Sequence, residues 1–456
     1  MFLKITLLVF ALFIFFQLLY IFIPLFSIKS NILLKKVKWE KGISILIPAY
    51  NEEKVIMNCI SGVLNLNYKN FEAIIVNDGS TDGTLELLKD NLQLEPVYER
   101  LPAVKLHHES IREIYRSASY PKIYVIDKPN GGKADALNAG IEYAKKDIII
   151  TLDADSVLDY NSLNAINSTF ADEQVLAAGG MVQIGQGFKG EFQNPQPTFI
   201  LSGLLRFQVV QYMTNFYLQK FTQTKFKSLT VISGAFGAFR KEVLYEVDGY
   251  RKTVGEDMDI TMKIHQLIKT KYKKHKLLFV PQALCYTEGP ENFKNLFGQR
   301  IRWQKAFIDC VFNYRKAFFK QLGIRLSFYI LVDSLLLGTL VAFVVIFLPI
   351  VLIINPQYYM IVLGFLTVTF VLALYQGLTM VIVSRRYNVI FPTKDYFKMS
   401  LFIPLEIVTY RLLGILFVTI GTVSYFINKD KWHVTKRIGT NHQTFEKKII
   451  PNKKAI

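Results

Sequence analysis

The run Ile148, Ile149, Ile150, Thr151 and Leu152 leads straight into two carboxylates one residue apart, Asp153 and Asp155. Five β-branched and aliphatic residues predict a fully buried strand, and the acids fall at its carboxyl end. In an open α/β sheet, that edge is where ligands bind. Two carboxylates beside an apolar sheet call for a cation, so one reading is a divalent metal carrying a phosphorylated ligand. The plainer alternative is a solvated turn, since aspartate is common after strands.

Other stretches have similar potential. Residues 74–76 are apolar and run into Asn77, Asp78 and Gly79; Asp78 could accept hydrogen bonds from a nucleobase or ribose, or simply make a good turn. Gly131 and Gly132 precede an alanine-rich helical pattern whose amino end attracts anions. Lys133 at that end is a point charge suited to a diphosphate. No P-loop is present, which favours a nucleotide-sugar site over nucleotide hydrolysis. Asn51 reads as a cap for a following helix. The segment 233–240 carries two glycines that let a ligand, or a packed strand, approach the backbone. Glu256, Asp257 and Asp259 cluster at a helix start, where capping explains one or two of them. Gln299, Arg300, Arg302 and Trp303 share one amphipathic stretch. They could hold phosphates and stack on a sugar, or anchor a helix at a membrane surface.

The elements that must position these residues follow from patterning. Short apolar runs at 43–47, 72–76, 123–125, 148–152 and 175–178 alternate with amphipathic stretches, which predicts a mostly parallel sheet with helices on both faces. A polar, weakly helical insertion at 92–121 interrupts the rhythm. Residues 2–28 form one apolar run of transmembrane length, and 326–354 and 358–383 are two more. The run 401–427 contains Glu406 and Arg411 and either spans or takes a re-entrant course. Stretches 199–221 and 293–319 could be ordinary domain helices, but their position near the apolar runs favours helices lying in the membrane interface. The expected organisation is a membrane helix (1–28), a cytoplasmic α/β domain (29–290), an interfacial helix (291–325), a membrane region (326–427) and a basic tail (428–456). Net charge is +18. Its lysines and arginines gather beside the apolar runs, at 29–41, 384–398 and 429–454, which a positive-inside bias explains better than nucleic acid. Three scattered cysteines form no disulfide framework or zinc spacing and suit a reducing cytoplasm.

The motifs taken in order, Asn77-Asp78-Gly79, Asp153-Ala154-Asp155, Gly255-Glu256-Asp257 and Gln299-Arg300-Ile301-Arg302-Trp303, resemble those of family 2 glycosyltransferases. The likeness is to the membrane-embedded synthases of cellulose, hyaluronan, chitin and poly-N-acetylglucosamine, and covers about 43–303 with the flanking helices. Gly255 departs from the threonine many members carry there. The tail from Trp432 to Arg437 also looks like the ending of several bacterial members. The resemblance implies a GT-A fold, a Rossmann-like mixed sheet. It implies donor contacts from Asp78, Lys133, Asp153 and Asp155, with Asp155 as ligand to Mg2+ or Mn2+. It makes Asp257 the general base and sets Gln299, Arg300, Arg302 and Trp303 at the acceptor and diphosphate.

The expected activity is inverting transfer from a UDP-sugar, with UDP-N-acetylglucosamine favoured, to extend a β-linked polysaccharide. The expected place is the inner membrane, with a membrane-lipid environment and room for an export subunit. The alternatives are single transfer to a glycolipid acceptor and a non-catalytic transport or scaffold role.

Overall fold

A computed structural model describes residues 2–27, 39–98, 104–428 and 439. Residues 29–38 of the basic segment 29–41 and the tail motif at 432–437 lie outside the described residues. The chain divides into two compact units, one of residues 31–195, 231–289 and 436–456, the other of 1–30, 196–230 and 290–435.

The first unit is built on a ten-stranded mixed sheet. Its strands are β1 (Ile43–Ala49), β2 (Phe71–Asp78), β3 (Leu94–Pro96), β4 (Glu113–Ser117), β5 (Ile123–Lys128), β6 (Ile148–Leu152), β7 (Ser156–Leu158), β8 (Val175–Ile184), β9 (Phe236–Arg240) and β10 (Lys276–Thr287). Their order is β3-β4-β5-β2-β1-β6-β9-β8-β10-β7. The centre, β5-β2-β1-β6, is parallel. Its strands are buried along nearly their whole length, as covered parallel strands must be. All five apolar runs noted in the sequence are strands. Because β1, β2, β5 and β6 point the same way, the loops after Ala49, Asp78, Lys128 and Leu152 emerge along one edge.

The insertion departs from the helical expectation. Residues 94–96 pair antiparallel with 113–117, which in turn pair antiparallel with β5. The tyrosine and β-branched isoleucine of β4 bury against the sheet, and pairing overrides a weak helical preference. Asn51 also differs from expectation. It has φ +57°, its side-chain oxygen accepts from Thr81 N at 2.7 Å, and the next helix begins only at Ile56. It ties the loop after β1 to the loop after β2.

The second unit is helical. Leu3–Phe26, Gly323–Ile354, Pro356–Arg386 and Tyr410–Ile427 are each long and apolar enough to cross a membrane. Side chains such as Ile353 and Phe426 are exposed at 74% and 65%, surface that an aqueous setting disfavours. Helix Phe2–Phe26 runs alongside Tyr359–Arg386 in the same direction. Phe10 stacks on Phe365 at 4.1 Å, Gln17 bonds Gln376, and Arg386 donates to Pro24 O at 3.0 Å. The run 401–427 is not one helix. It breaks at Thr409 between Thr393–Val408 and Tyr410–Ile427, and Glu406 and Arg411 pair across the break at 3.1 Å.

Close packing at β8 gives a first prediction. A Cβ on Gly180 would collide with the ring of Phe236. Gly180→Ala should destabilise the sheet unit by about 1–3 kcal/mol, seen as a lower midpoint in thermal denaturation of the full chain.

Candidate active site

The carboxyl edge of the sheet carries the acids. Asp78 ends β2 and Lys128 ends β5, in register with each other. The Lys128 side chain is fully buried, with its ammonium 2.5 Å from Asp78 Oδ1 and 2.6 Å from Asp135 Oδ1. Gly131 N and Gly132 N donate to the two Asp78 oxygens at 3.0 and 2.8 Å. Asp78 is therefore turned inward, onto the glycine turn that starts the helix Lys133–Tyr143. Gly132, at φ +96°, needs the conformational freedom of glycine. Lower on the same pair of strands, Asn77 donates to Asp127 at 2.6 Å.

Lys133 opens the helix and reaches two acids from different parts of the chain. Its ammonium lies 2.6 Å from Asp153 Oδ1 and 3.0 Å from Glu256 Oε1. Burial works against this charge, but Asp153, Glu256 and Asp257 together outweigh it and hold the Lys133 pKa above its ordinary value. Gly234 leaves room for it, since a Cβ there would lie 2.9 Å from the ammonium.

Asp257, on the first turn of helix Glu256–Thr270, accepts from Gly234 N at 3.2 Å and from Met258 N at 2.8 Å. Burial, and then the neighbouring Glu256 carboxylate, push its carboxyl above the ordinary value. Lys133 and the two amides pull the other way without cancelling the rise. Asp155 is 3% exposed, and its Oδ1 accepts from Ser156 at 3.0 Å and Thr287 at 3.3 Å. The latter contact follows from β7–β10 pairing. Beneath the site, burial and then the Asp155 and Asp153 charges keep the Cys59 thiol well above its ordinary pKa.

Lys133, Asp153 and Asp257 thus form one cluster, with Asp78 behind it holding the turn. In the helical unit, Gln299, Arg300, Arg302 and Trp303 lie on Phe293–Asn313, whose start is capped by Asn292 accepting from Asn295 N at 2.9 Å. Arg300 is 5% exposed and sits 4.1 Å from the Trp303 ring centroid. It donates to Tyr410 at 3.4 Å, while its Nε and Nη1 have no partner among the described residues. Arg302 is half-buried and Trp303 is 40% exposed. Lys128, Asp135, Glu256 and Thr287 received no individual role from the sequence. Only for Glu256, beside Asp257, was there a local signal.

A mixed sheet with acids along the carboxyl edge of its parallel half defines a GT-A nucleotide-sugar-binding fold. A mannosyltransferase from Pyrobaculum calidifontis, solved with GDP-Man and Mn2+, shares this fold. Its TM-score is 0.53 at 15% identity, over 94% of this chain and 99% of that one. The profile described as Glycosyl transferase family 2 matches residues 44–248, and that of Glycosyl transferase family group 2 matches 148–380. The chain belongs to the family 2 glycosyltransferases. Among its relatives are the poly-beta-1,6-N-acetyl-D-glucosamine synthases of Staphylococcus aureus and Staphylococcus epidermidis. Each is 30% identical over 268 residues, 58% of this chain and 54% of the relative. The match thus spans little more than half of those relatives' length.

Removing one partner of a buried ion cluster leaves the others uncompensated. Lys128→Met should cost about 3–5 kcal/mol locally, detected as faster hydrogen exchange at Gly131 and Gly132 in the full chain.

Proposed function

We propose that the chain extends a β-linked polysaccharide by inverting transfer from UDP-N-acetylglucosamine, at the cytoplasmic face of the inner membrane. The observation that carries the chemistry is the Lys133 ammonium joined to both Asp153 and Glu256 beside Asp257. It gathers a cation fit for a diphosphate and a carboxylate fit for a base into one cluster. The staphylococcal relatives named as poly-beta-1,6-N-acetyl-D-glucosamine synthases support the choice of sugar.

Asp257 is the base. An acceptor hydroxyl gives its proton to the Asp257 carboxylate as its oxygen bonds to the anomeric carbon. The bond from that carbon to the diphosphate oxygen breaks, and UDP leaves with the electron pair. One displacement inverts the centre, so an α-linked donor yields a β bond. Lys133 can exchange a carboxylate partner for a phosphate oxygen, and Asp153 orients it. Asp78 serves the donor's uracil end through the glycine turn it holds. Gln299, Arg300, Arg302 and Trp303 serve the acceptor and the departing diphosphate. The unpartnered Arg300 nitrogens favour a polar ligand there.

A divalent ion fits this donor set. Among the described residues no cluster of three or more His, Cys, Asp or Glu could hold a metal. Mg2+ and similar hard ions bind through one or two carboxylates plus substrate phosphates. Asp155, steadied by the Ser156 and Thr287 hydroxyls, would be that carboxylate. When bound, Mg2+ or Mn2+ neutralises charge on the diphosphate.

Full-length protein in membranes, given single UDP-sugars with Mg2+ or Mn2+, should release UDP and form long polymer from UDP-N-acetylglucosamine. A single-sugar glycolipid would favour the lipid-acceptor reading, and no UDP from any donor would overturn transfer itself. Asp257→Asn should lower turnover at least about 100-fold while UDP affinity stays close to wild type; parallel loss of UDP binding would remove Asp257 as base. The base works unprotonated, so a raised Asp257 pKa places the acid limb of the rate–pH profile above the ordinary carboxylate range. Glu256→Gln removes the like charge and should move that limb to lower pH.

A further inference from the structure

Between the end of helix Phe293–Asn313 and the apolar span Gly323–Ile354 lies a short basic segment, within the stretch read from sequence as interfacial, to which no ligand has been assigned. Arg315, Lys316, Lys320 and Arg325 are all exposed. Between and beside them, Phe319 and Ile324 are exposed at 56% and 73%. The segment does not hang loose. Tyr314, Ala317, Phe318 and Leu322 are buried beneath it, and Phe319 N donates to Ser327 Oγ at 2.8 Å. Phe319 itself holds φ +59°, unusual for a bulky residue. No acidic residue lies between Asp309 and Asp333, so the local sequence supplies no counter-charge.

We propose that residues 314–325 seat the headgroups of anionic phospholipids. The charges match the headgroups, and Phe319 and Ile324 match the acyl boundary that begins where the span begins. A free phosphate would satisfy the charges and leave those two side chains in water. The side of the membrane also agrees. Gly323–Ile354 and Pro356–Arg386 are joined through Asn355, and Asn355, Pro356, Gln357 and Tyr358 at that turn carry no charge. The Gly323 and Arg386 ends therefore share a side, and that side carries Arg315, Lys316, Lys320, Arg325, Arg385 and Arg386. Positive residues gather on the cytoplasmic face, whose leaflet is the anionic one. The proposal rests on membrane placement and not on the transfer chemistry.

The test uses the full chain in nanodiscs of phosphatidylcholine containing phosphatidylglycerol, with spin-labelled forms of each lipid as probes. Spin-labelled phosphatidylglycerol should be motionally restrained at least about three-fold more strongly than phosphatidylcholine. Raising NaCl to about 0.5 M should erase most of that preference, a readout that needs no variant. The variant Arg315→Gln/Lys316→Gln/Lys320→Gln/Arg325→Gln should show equal restraint of both lipids while releasing UDP from donor in detergent as wild type does. Equal restraint in the wild type would overturn the proposal, as would a preference that survives the four substitutions. Inorganic phosphate that abolishes the preference at unchanged ionic strength would also overturn it, in favour of a free-anion site.

Discussion

The Lys133 ammonium is the contact on which the site's geometry turns. It starts a helix, and it draws together Asp153 from the end of β6 and Glu256 from the helix that precedes β10. Three carboxylates, those of Asp153, Glu256 and Asp257, crowd near it, and like charges so placed repel in a partly desolvated setting. One cation among them lowers that repulsion without removing it, so the raised Asp257 carboxyl is a consequence of the same arrangement. The cluster remains net negative, a setting that favours an incoming cation.

Behind this cluster sits a frame of quite different character. Lys128 is buried outright between Asp78 and Asp135, and a buried ion cluster of this kind adds little net stability. Its effect here is conformational. It pins the Asp78 carboxylate against Gly131 N and Gly132 N, fixing the turn from which Lys133 projects. Asn51, by clasping the loop after β2, ties β1 to the same frame. Rigidity at this edge of the sheet thus comes from charges that are almost wholly buried.

The helical unit follows another solvent's rules. Its spans expose apolar faces, and the few polar groups inside them find each other, as Gln17 and Gln376 do. Arg300 is among those that do not, a buried guanidinium whose Nε and Nη1 find no partner among the described residues. Its charge cannot be shed by deprotonation, so stacking on Trp303 and the bond to the Tyr410 hydroxyl are its compensation.

Much was legible in the sequence because it is local. Apolar runs announced β1, β2, β5, β6 and β8, and strand-end acids announced Asp78, Asp153 and Asp155. Twenty or more apolar residues announced the membrane-length helices, and four motifs in order announced the family. What the sequence could not determine depends on strand order. Lys128 reads as any surface lysine until β2 and β5 lie side by side, and Thr287 is unremarkable until β10 meets β7. The strands at 94–96 and 113–117 exist because an open sheet edge was there to pair with. Asn51 reads as a cap for its own helix, yet the fold turns its side chain to another loop. Periodicity and composition set what each segment can form; only the folded sheet decides which distant charge stands within 3 Å of which, and that distance sets the electrostatics of the site.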